Sequence, residues 1–112
     1  MRKTKRKLDR PALEKVAKVF SGFSDATRLA IIQELMEDPC SVSELVEAVG
    51  GSQGNVSKQL QLLYDAGLLE REKEGNQVFY SIADEMVVSM CELVCDKLNR
   101  DVKASGELSF QI

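Results

Sequence analysis

The chain has 112 residues, of which 44% are hydrophobic and 29% are charged, and its formal net charge is −3. This balance is typical of a single globular domain and excludes a disordered tail or a disulfide-dense scaffold. No apolar run approaches the roughly 20 residues of a membrane span. The sequence has no histidine, which excludes Ser/His and Cys/His nucleophile pairs and imidazole metal ligands. With three cysteines and no signal-peptide core, we expect a cytoplasmic protein with reduced thiols.

The charge is distributed unevenly along the chain. Residues 1–10 hold six basic side chains and one acid, and the remaining 9 basic and 17 acidic residues give residues 11–112 a net charge of −8. We therefore divide the chain into a basic flexible arm (1–10), a folded domain (11–100) and a C-terminal tail (101–112). The arm is either a solvated tail or a segment that contacts phosphates.

Hydrophobic periodicity and capping residues predict five helices and a hairpin. The predicted helices cover residues 11–22, 25–37, 44–49, 53–65 and 84–100. The predicted strands cover 68–74 and 77–82 around a Gly75-Asn76 turn, and 40–42 is a candidate edge strand. Ser24, Ser43 and Ser52 are the expected N-caps of helices two to four. A short helix, a glycine turn, a longer helix and a hairpin predict an α+β, mostly helical winged helix-turn-helix with a two-stranded wing.

The predicted fourth helix has a polar outer face without acids. No acidic residue occurs between Ser52 and Tyr64, whereas a merely solvated helix more often carries Glu–Lys pairs four residues apart. Amide side chains can bond bidentately to adenine, lysine can bind guanine or phosphate, and helix N-terminal amides can hold a phosphate. We therefore predict DNA contacts from the helix with its cap and from the wing. These residues are Ser52, Gln53, Asn55, Ser57, Lys58 and Gln61, and Arg71, Lys73, Asn76 and Gln77.

Four segments resemble the ArsR/SmtB family of bacterial transcriptional repressors. Residues 23–29 (FSDATRL) are similar to the family's DPTRL opening of the second helix, and residues 52–60 (SQGNVSKQL) to its SQxxVSxHL recognition helix. Residues 64–69 (YDAGLL) resemble RDAGLV, and residues 74–80 (EGNQVFY) resemble the wing turn and second wing strand. The resemblance covers about 12–98 and implies a dimeric repressor that binds double-stranded operator DNA. Arg28 of the first motif is either a structural residue or a phosphate contact.

The last predicted helix carries an apolar stripe. The stripe and its flanks comprise Val87, Met90, Cys91, Val94, Cys95 and Leu98. Little of the same domain remains for this stripe to cover, so we expect a homodimer in which helices 1 and 5 meet their counterparts across a two-fold axis. Packing within one chain is the alternative.

The resemblance allows two metal sites of the family to be compared residue by residue. The cysteines of the family's helix-3 site correspond to Ser41 and Ser43, and hydroxyls are poor ligands for soft ions. Cys40 lies one residue early and is a doubtful substitute. The helix-5 site of the family's zinc, nickel and cobalt sensors depends on histidines, which this chain lacks. Neither site is therefore expected here.

Cys91 and Cys95 lie one helical turn apart. Their β-carbons should be about 5–6 Å apart, farther than the roughly 3.8 Å of a disulfide, which disfavours an unstrained disulfide within the helix. A thiophilic metal or metalloid ion can join both sulfurs with a third donor from elsewhere, and a polysulfide link or thiol oxidation can also engage them. The pair is therefore a candidate inducer site. The alternatives are inert packing of the thiols and a regulator without an effector.

Two other classes of function compete with a DNA-binding regulator. For an enzyme, the sequence offers no glycine-rich phosphate loop, no CxxC motif and no nucleophile–base pair. A winged-helix module that binds protein instead of DNA is the remaining alternative. Such modules fill the recognition face with acids or exposed apolar residues, which Gln53, Asn55, Ser57 and Lys58 do not match. That the regulator represses transcription is implied by the family resemblance alone.

Overall fold

The structure, a computed structural model, describes residues 7–102 and 110–111. Most of the predicted basic arm and most of the predicted C-terminal tail lie outside these residues. The described elements are α1 (Arg10–Ser21), α2 (Ala26–Leu35), β1 (Cys40–Ser41), α3 (Val42–Val49), α4 (Gln53–Asp65), β2 (Leu69–Glu74), β3 (Gln77–Ile82) and α5 (Glu85–Val102). This order confirms the predicted α+β winged helix-turn-helix. None of the helices in the described part is long and apolar enough to cross a bilayer.

Side-chain caps fix where α2 and α4 begin. Ser52 caps α4 as predicted, and its hydroxyl accepts a hydrogen bond from the Asn55 N–H at 3.1 Å. The predicted cap of α2 is wrong, because Asp25 caps that helix and accepts from the Arg28 N–H at 3.1 Å. The Ser24 hydroxyl donates to the carbonyl of Ser21, the last residue of α1.

The start of α3 also differs from the prediction. Ser41, and not Ser43, is the N-cap. The Ser41 hydroxyl accepts from the Glu44 N–H at 3.2 Å, and the Glu44 carboxylate accepts from the Ser41 N–H at 2.8 Å. This reciprocal capping box satisfies two backbone donors at once and starts the helix two residues earlier than expected.

The three strands form one antiparallel sheet in the order β1-β3-β2. β2 and β3 form the predicted wing, with Glu74 opposite Gln77 across a two-residue turn. Gly75 has a φ of +63°, and Asn76 has a negative φ, which is the pattern of a type II′ hairpin turn. The candidate edge strand is confirmed as Cys40–Ser41, paired with β3.

One hydrophobic core joins α2, α3, α4, the base of the wing and the beginning of α5. Its most deeply buried side chains are Ile31, Ile32, Leu45, Val56, Leu60, Leu63, Leu68 and Val87. Because three of these belong to α4, that helix is held along its whole inner face. Burying each such side chain contributes about 1.5–3 kcal/mol.

The terminal helices leave apolar surface uncovered. α1 has no buried residue, and Leu13 and Phe20 are 49% and 55% exposed. In α5 the predicted stripe divides: Val87 and Cys91 pack into the core of their own chain, whereas Val94 is 54% exposed. The first half of α5 is thus an element of the domain although Met86 is 41% exposed, and the second half presents the more exposed apolar residues Leu93 and Val94.

Candidate nucleic-acid interface

The outer face of α4 is exposed along its length. Val56, Leu60 and Leu63 anchor the opposite face in the core. The six residues predicted to contact DNA from the helix and its cap are all exposed: Ser52, Gln53, Asn55, Ser57, Lys58 and Gln61. A helix anchored on one side and polar on the other can enter a groove without rearranging its own packing.

The wing tip and the start of α4 lie next to each other. Gln53 of α4 and Asn76 and Gln77 of the wing line one shallow depression of about 250 Å³, together with Ser43 at the start of α3. The structure therefore brings residues from the two predicted groups onto one surface. Lys73 is exposed farther along β2.

Arg71 joins the wing to α4. Its guanidinium lies over the Tyr64 ring, 3.9 Å from the ring centre, and donates to the Gln61 side-chain oxygen at 3.3 Å. A side-chain hydrogen bond with Tyr80 is the largest of the effects that raise the pKa of Arg71. Gln61 in turn donates to Asp65 at 2.9 Å. Two predicted DNA contacts, Arg71 and Gln61, therefore already bond to each other.

Charges alternate along β2. Arg71 and Lys73 share one face of the strand, and Glu70, Glu72 and Glu74 share the other, because successive side chains point to opposite faces. The Arg71 contacts show that the basic face is the one turned toward α4. A polyanion meets less repulsion when it approaches the wing from the α4 side.

Arg28 lies behind α4 and bonds to it. Its Nη1 donates to the Gln59 side-chain oxygen at 2.6 Å, and the Gln59 Nε2 donates to the Asn55 Oδ1 at 3.3 Å. Gln59 is a residue that the sequence analysis missed, and its spacing of four from Asn55 was the only available signal. Arg28 thus reaches a predicted base-contacting residue through one intermediate side chain.

The two helical cysteines line the same cavity but differ in burial. The cavity measures about 580 Å³ and lies between the end of α1, α2 and α5, with Phe20, Phe23 and Leu29 in its walls. Cys91 is buried and Cys95 is half-buried. Burial, followed by the neighbouring Cys95 and Glu92, raises the pKa of the Cys91 thiol, which favours its protonated form.

The C-terminal residues 110–111 border this cavity. The Asn99 side chain donates to the Phe110 carbonyl at 2.7 Å and accepts from the Phe110 N–H at 2.6 Å. This paired contact fastens the segment to α5. One wall of the cysteine cavity is therefore formed by a segment that two hydrogen bonds with the Asn99 side chain hold in place.

The third cysteine lies elsewhere. Cys40 is half-buried in β1, where burial and then nearby carboxylates, Glu44 foremost, raise the pKa of its thiol. Ser41 and Ser43, which correspond to the family's helix-3 ligands, offer only hydroxyl groups, and that of Ser41 caps α3. This donor set does not fit a soft metal ion. Among residues 7–102 and 110–111, no group of three or more cysteine and acidic side chains forms a potential metal cluster.

A helix-turn-helix with an exposed polar second helix and an adjoining hairpin defines a winged-helix nucleic-acid-binding domain. Residues 25–71 match the family model described as bacterial regulatory protein, arsR family. The chain is 33% identical over 85 residues to the HTH-type transcriptional regulator NmtR of Mycobacterium tuberculosis. The aligned residues cover 76% of this chain and 71% of NmtR. It is 32% identical over 85 residues to the transcriptional repressor SmtB homolog of Synechocystis, covering 76% and 64% of the two chains.

Solved structures agree with the sequence matches. The homodimeric winged helix-turn-helix DNA-binding domain Mb0332 of Mycobacterium bovis superposes with a TM-score of 0.73 at 28% identity, covering 96% of this chain and 100% of that one. The chain belongs to the ArsR family of bacterial regulatory proteins. It is a DNA-binding transcriptional regulator and not an enzyme, as the sequence predicted.

Proposed function

We propose that the protein is a cytoplasmic, homodimeric repressor that places α4 in the major groove of a double-stranded operator. The observation that carries this proposal is the outer face of α4, which is exposed, is mostly polar and has no acid between Gln53 and Tyr64, while the inner face is buried. Base edges are read by amide and hydroxyl side chains, and Lys58 reads guanine or holds a phosphate. The proposed contacts are Ser52, Gln53, Asn55, Ser57, Lys58, Gln61, Arg71, Lys73, Asn76 and Gln77.

The wing and the helix start have separate roles in this proposal. Ser52 and the first amides of α4 hold a phosphate at the groove edge, as helix N-termini do. Lys73, Asn76 and Gln77 extend from the wing toward the backbone or the adjacent minor groove. Since the wing tip lies beside Gln53, both groups can engage the same duplex.

The exposed apolar faces support a dimer through α1 and α5. Leu13, Phe20 and Val94 are each about half exposed, and Leu93 is 65% exposed. Exposed apolar clusters of this kind mark association surfaces. The structurally similar Mb0332 domain is described as homodimeric, and a two-fold dimer suits an operator with two related half-sites.

The first test measures how salt weakens operator binding. A duplex selected from a random library is titrated with wild type and with Lys58→Gln. We expect a steep loss of affinity with salt for wild type, and a slope smaller by about 1 for Lys58→Gln, because one fewer positive charge neutralises phosphate. Lys15→Gln, an equal change of charge on the exposed face of α1, should leave the slope unchanged. Equal slopes for Lys58→Gln and wild type would contradict the placement of α4.

We also propose that Cys91 and Cys95 receive a thiol-reactive inducer, either a thiophilic metal or metalloid ion or a reactive sulfur species. The observation in favour is that both sulfurs line one cavity beside α1 and the exposed half of α5. An ion bound there displaces the proton of each thiol it coordinates. Because both helices belong to the proposed dimer interface, occupancy would change the spacing of the two α4 helices and release the operator.

A further inference from the structure

We propose that Arg28 determines which end of the Asn55 amide faces DNA, by acting through Gln59. Arg28 is then a positioning residue for base recognition, and Gln59 is the link. The inference rests on the proposed placement of α4 in the major groove. It concerns a property that the placement alone leaves open, namely whether Asn55 donates or accepts when it meets a base.

The direction of the hydrogen bonds follows from the chemistry of arginine. A guanidinium has five N–H donors and no acceptor. The Gln59 atom 2.6 Å from the Arg28 Nη1 must therefore be the oxygen. The amide nitrogen of Gln59 then points toward Asn55, and the Asn55 atom 3.3 Å from it must be the oxygen, because two amide nitrogens cannot bond to each other.

Arg28 is itself held in place, so this order of donors is fixed. Its Nη2 donates to the Ser21 carbonyl at 3.0 Å and lies 3.4 Å from the Ser24 hydroxyl. Its backbone N–H donates to the Asp25 cap of α2. The Arg28 Nε is buried without a hydrogen-bond partner among the described residues. One Nη group of the guanidinium thus bonds to the α1–α2 turn, and the other bonds to α4.

The consequence is a preference at the base that Asn55 meets. Because Oδ1 is turned toward Gln59, the Asn55 group without a hydrogen-bond partner among the described residues is the Nδ2 donor. In the major groove, purine N7, guanine O6 and thymine O4 accept hydrogen bonds, whereas cytosine presents only its N4 donor. We therefore infer that Asn55 contacts adenine, guanine or thymine and rejects cytosine.

Exchanging one atom at Gln59 tests this inference. In Gln59→Glu the side chain keeps its shape but only accepts, so it can bond Arg28 with one oxygen and the Asn55 Nδ2 with the other. Asn55 then turns its oxygen toward DNA. Binding sites selected from a random duplex library should gain cytosine at one position, with about a tenfold rise in its affinity relative to guanine or thymine.

Two further variants separate the effect of the Arg28–Gln59–Asn55 hydrogen bonds from the effects of added charge and of misfolding. Gln61→Glu adds the same charge to α4 outside these hydrogen bonds and should weaken binding without admitting cytosine at the position that Asn55 contacts. Arg28→Lys keeps a donor and should retain the wild-type base preference. Thermal unfolding of each variant checks that it is folded. If wild type selects a site but folded Gln59→Glu keeps the same base preference, the inference is wrong. If wild type selects no duplex, the proposed function itself fails.

Discussion

At the scale of single residues, the two helical thiols have different environments although they are one turn apart. Cys91 packs in the core and Cys95 is half-buried. The pKa of Cys91 is raised by its burial, and a thiol reacts through its thiolate. At neutral pH we expect a thiol reagent to reach Cys95 first, and Cys91 only after the helix has moved.

This difference gives a prediction for the inducer site. Titrating the reduced protein with As(III) or an organic polysulfide should release the selected operator, because joining the two sulfurs moves α5. The Cys91→Ser, Cys95→Ser double variant should stay bound, while Cys40→Ser, whose thiol lies outside the cavity, should respond like wild type. Operator binding followed by fluorescence anisotropy measures all three. An unchanged response of the double variant would exclude the cysteine pair as the sensor.

At the scale of single elements, the helix-turn-helix depends on local caps that place α3 and α4. Ser52 begins α4 and the Ser41–Glu44 capping box begins α3. The interior faces then supply most of the stability, since burial of Leu45 and Leu60 outweighs any one cap. The caps set the register in which those faces meet.

Substituting each of two neighbouring serines tests which of them caps α3. Ser41→Ala removes the hydroxyl that accepts from the Glu44 N–H and should lower the free energy of unfolding by about 1 kcal/mol. Ser43→Ala, inside the helix and exposed, should change it by less than about 0.5 kcal/mol. Urea unfolding measures both variants. A larger loss for Ser43→Ala would restore the cap that the sequence first suggested.

The features of the structure that could be predicted are those that depend on residues adjacent in the sequence. The bounds of α4, its Ser52 cap and the Gly75-Asn76 turn each depend on a few adjacent residues, and all were predicted correctly. The cap of α3 was missed because two serines lie in the same short segment and only the Glu44 contact distinguishes them. The contact of Arg28 with Gln59 spans 31 residues, so no pattern in the sequence could indicate it.

At the scale of the whole molecule, the chain has a well-packed core, but its terminal helices carry exposed apolar residues. The core secures α4, whereas the outer faces of α1 and of the second half of α5 have nothing to cover them within the described chain. A two-fold dimer through these faces would bury them and present two α4 helices to the same side of a duplex. We expect the half-sites to be separated by about one helical turn of DNA.

Methylation protection of the selected operator tests the central claim most directly, because dimethyl sulfate modifies guanine N7 in the major groove and adenine N3 in the minor groove. With α4 inserted as proposed, guanine N7 atoms should be protected in two half-sites centred about 10 base pairs apart. Unprotected guanines throughout a duplex that the protein demonstrably binds would contradict the placement of α4 in the major groove.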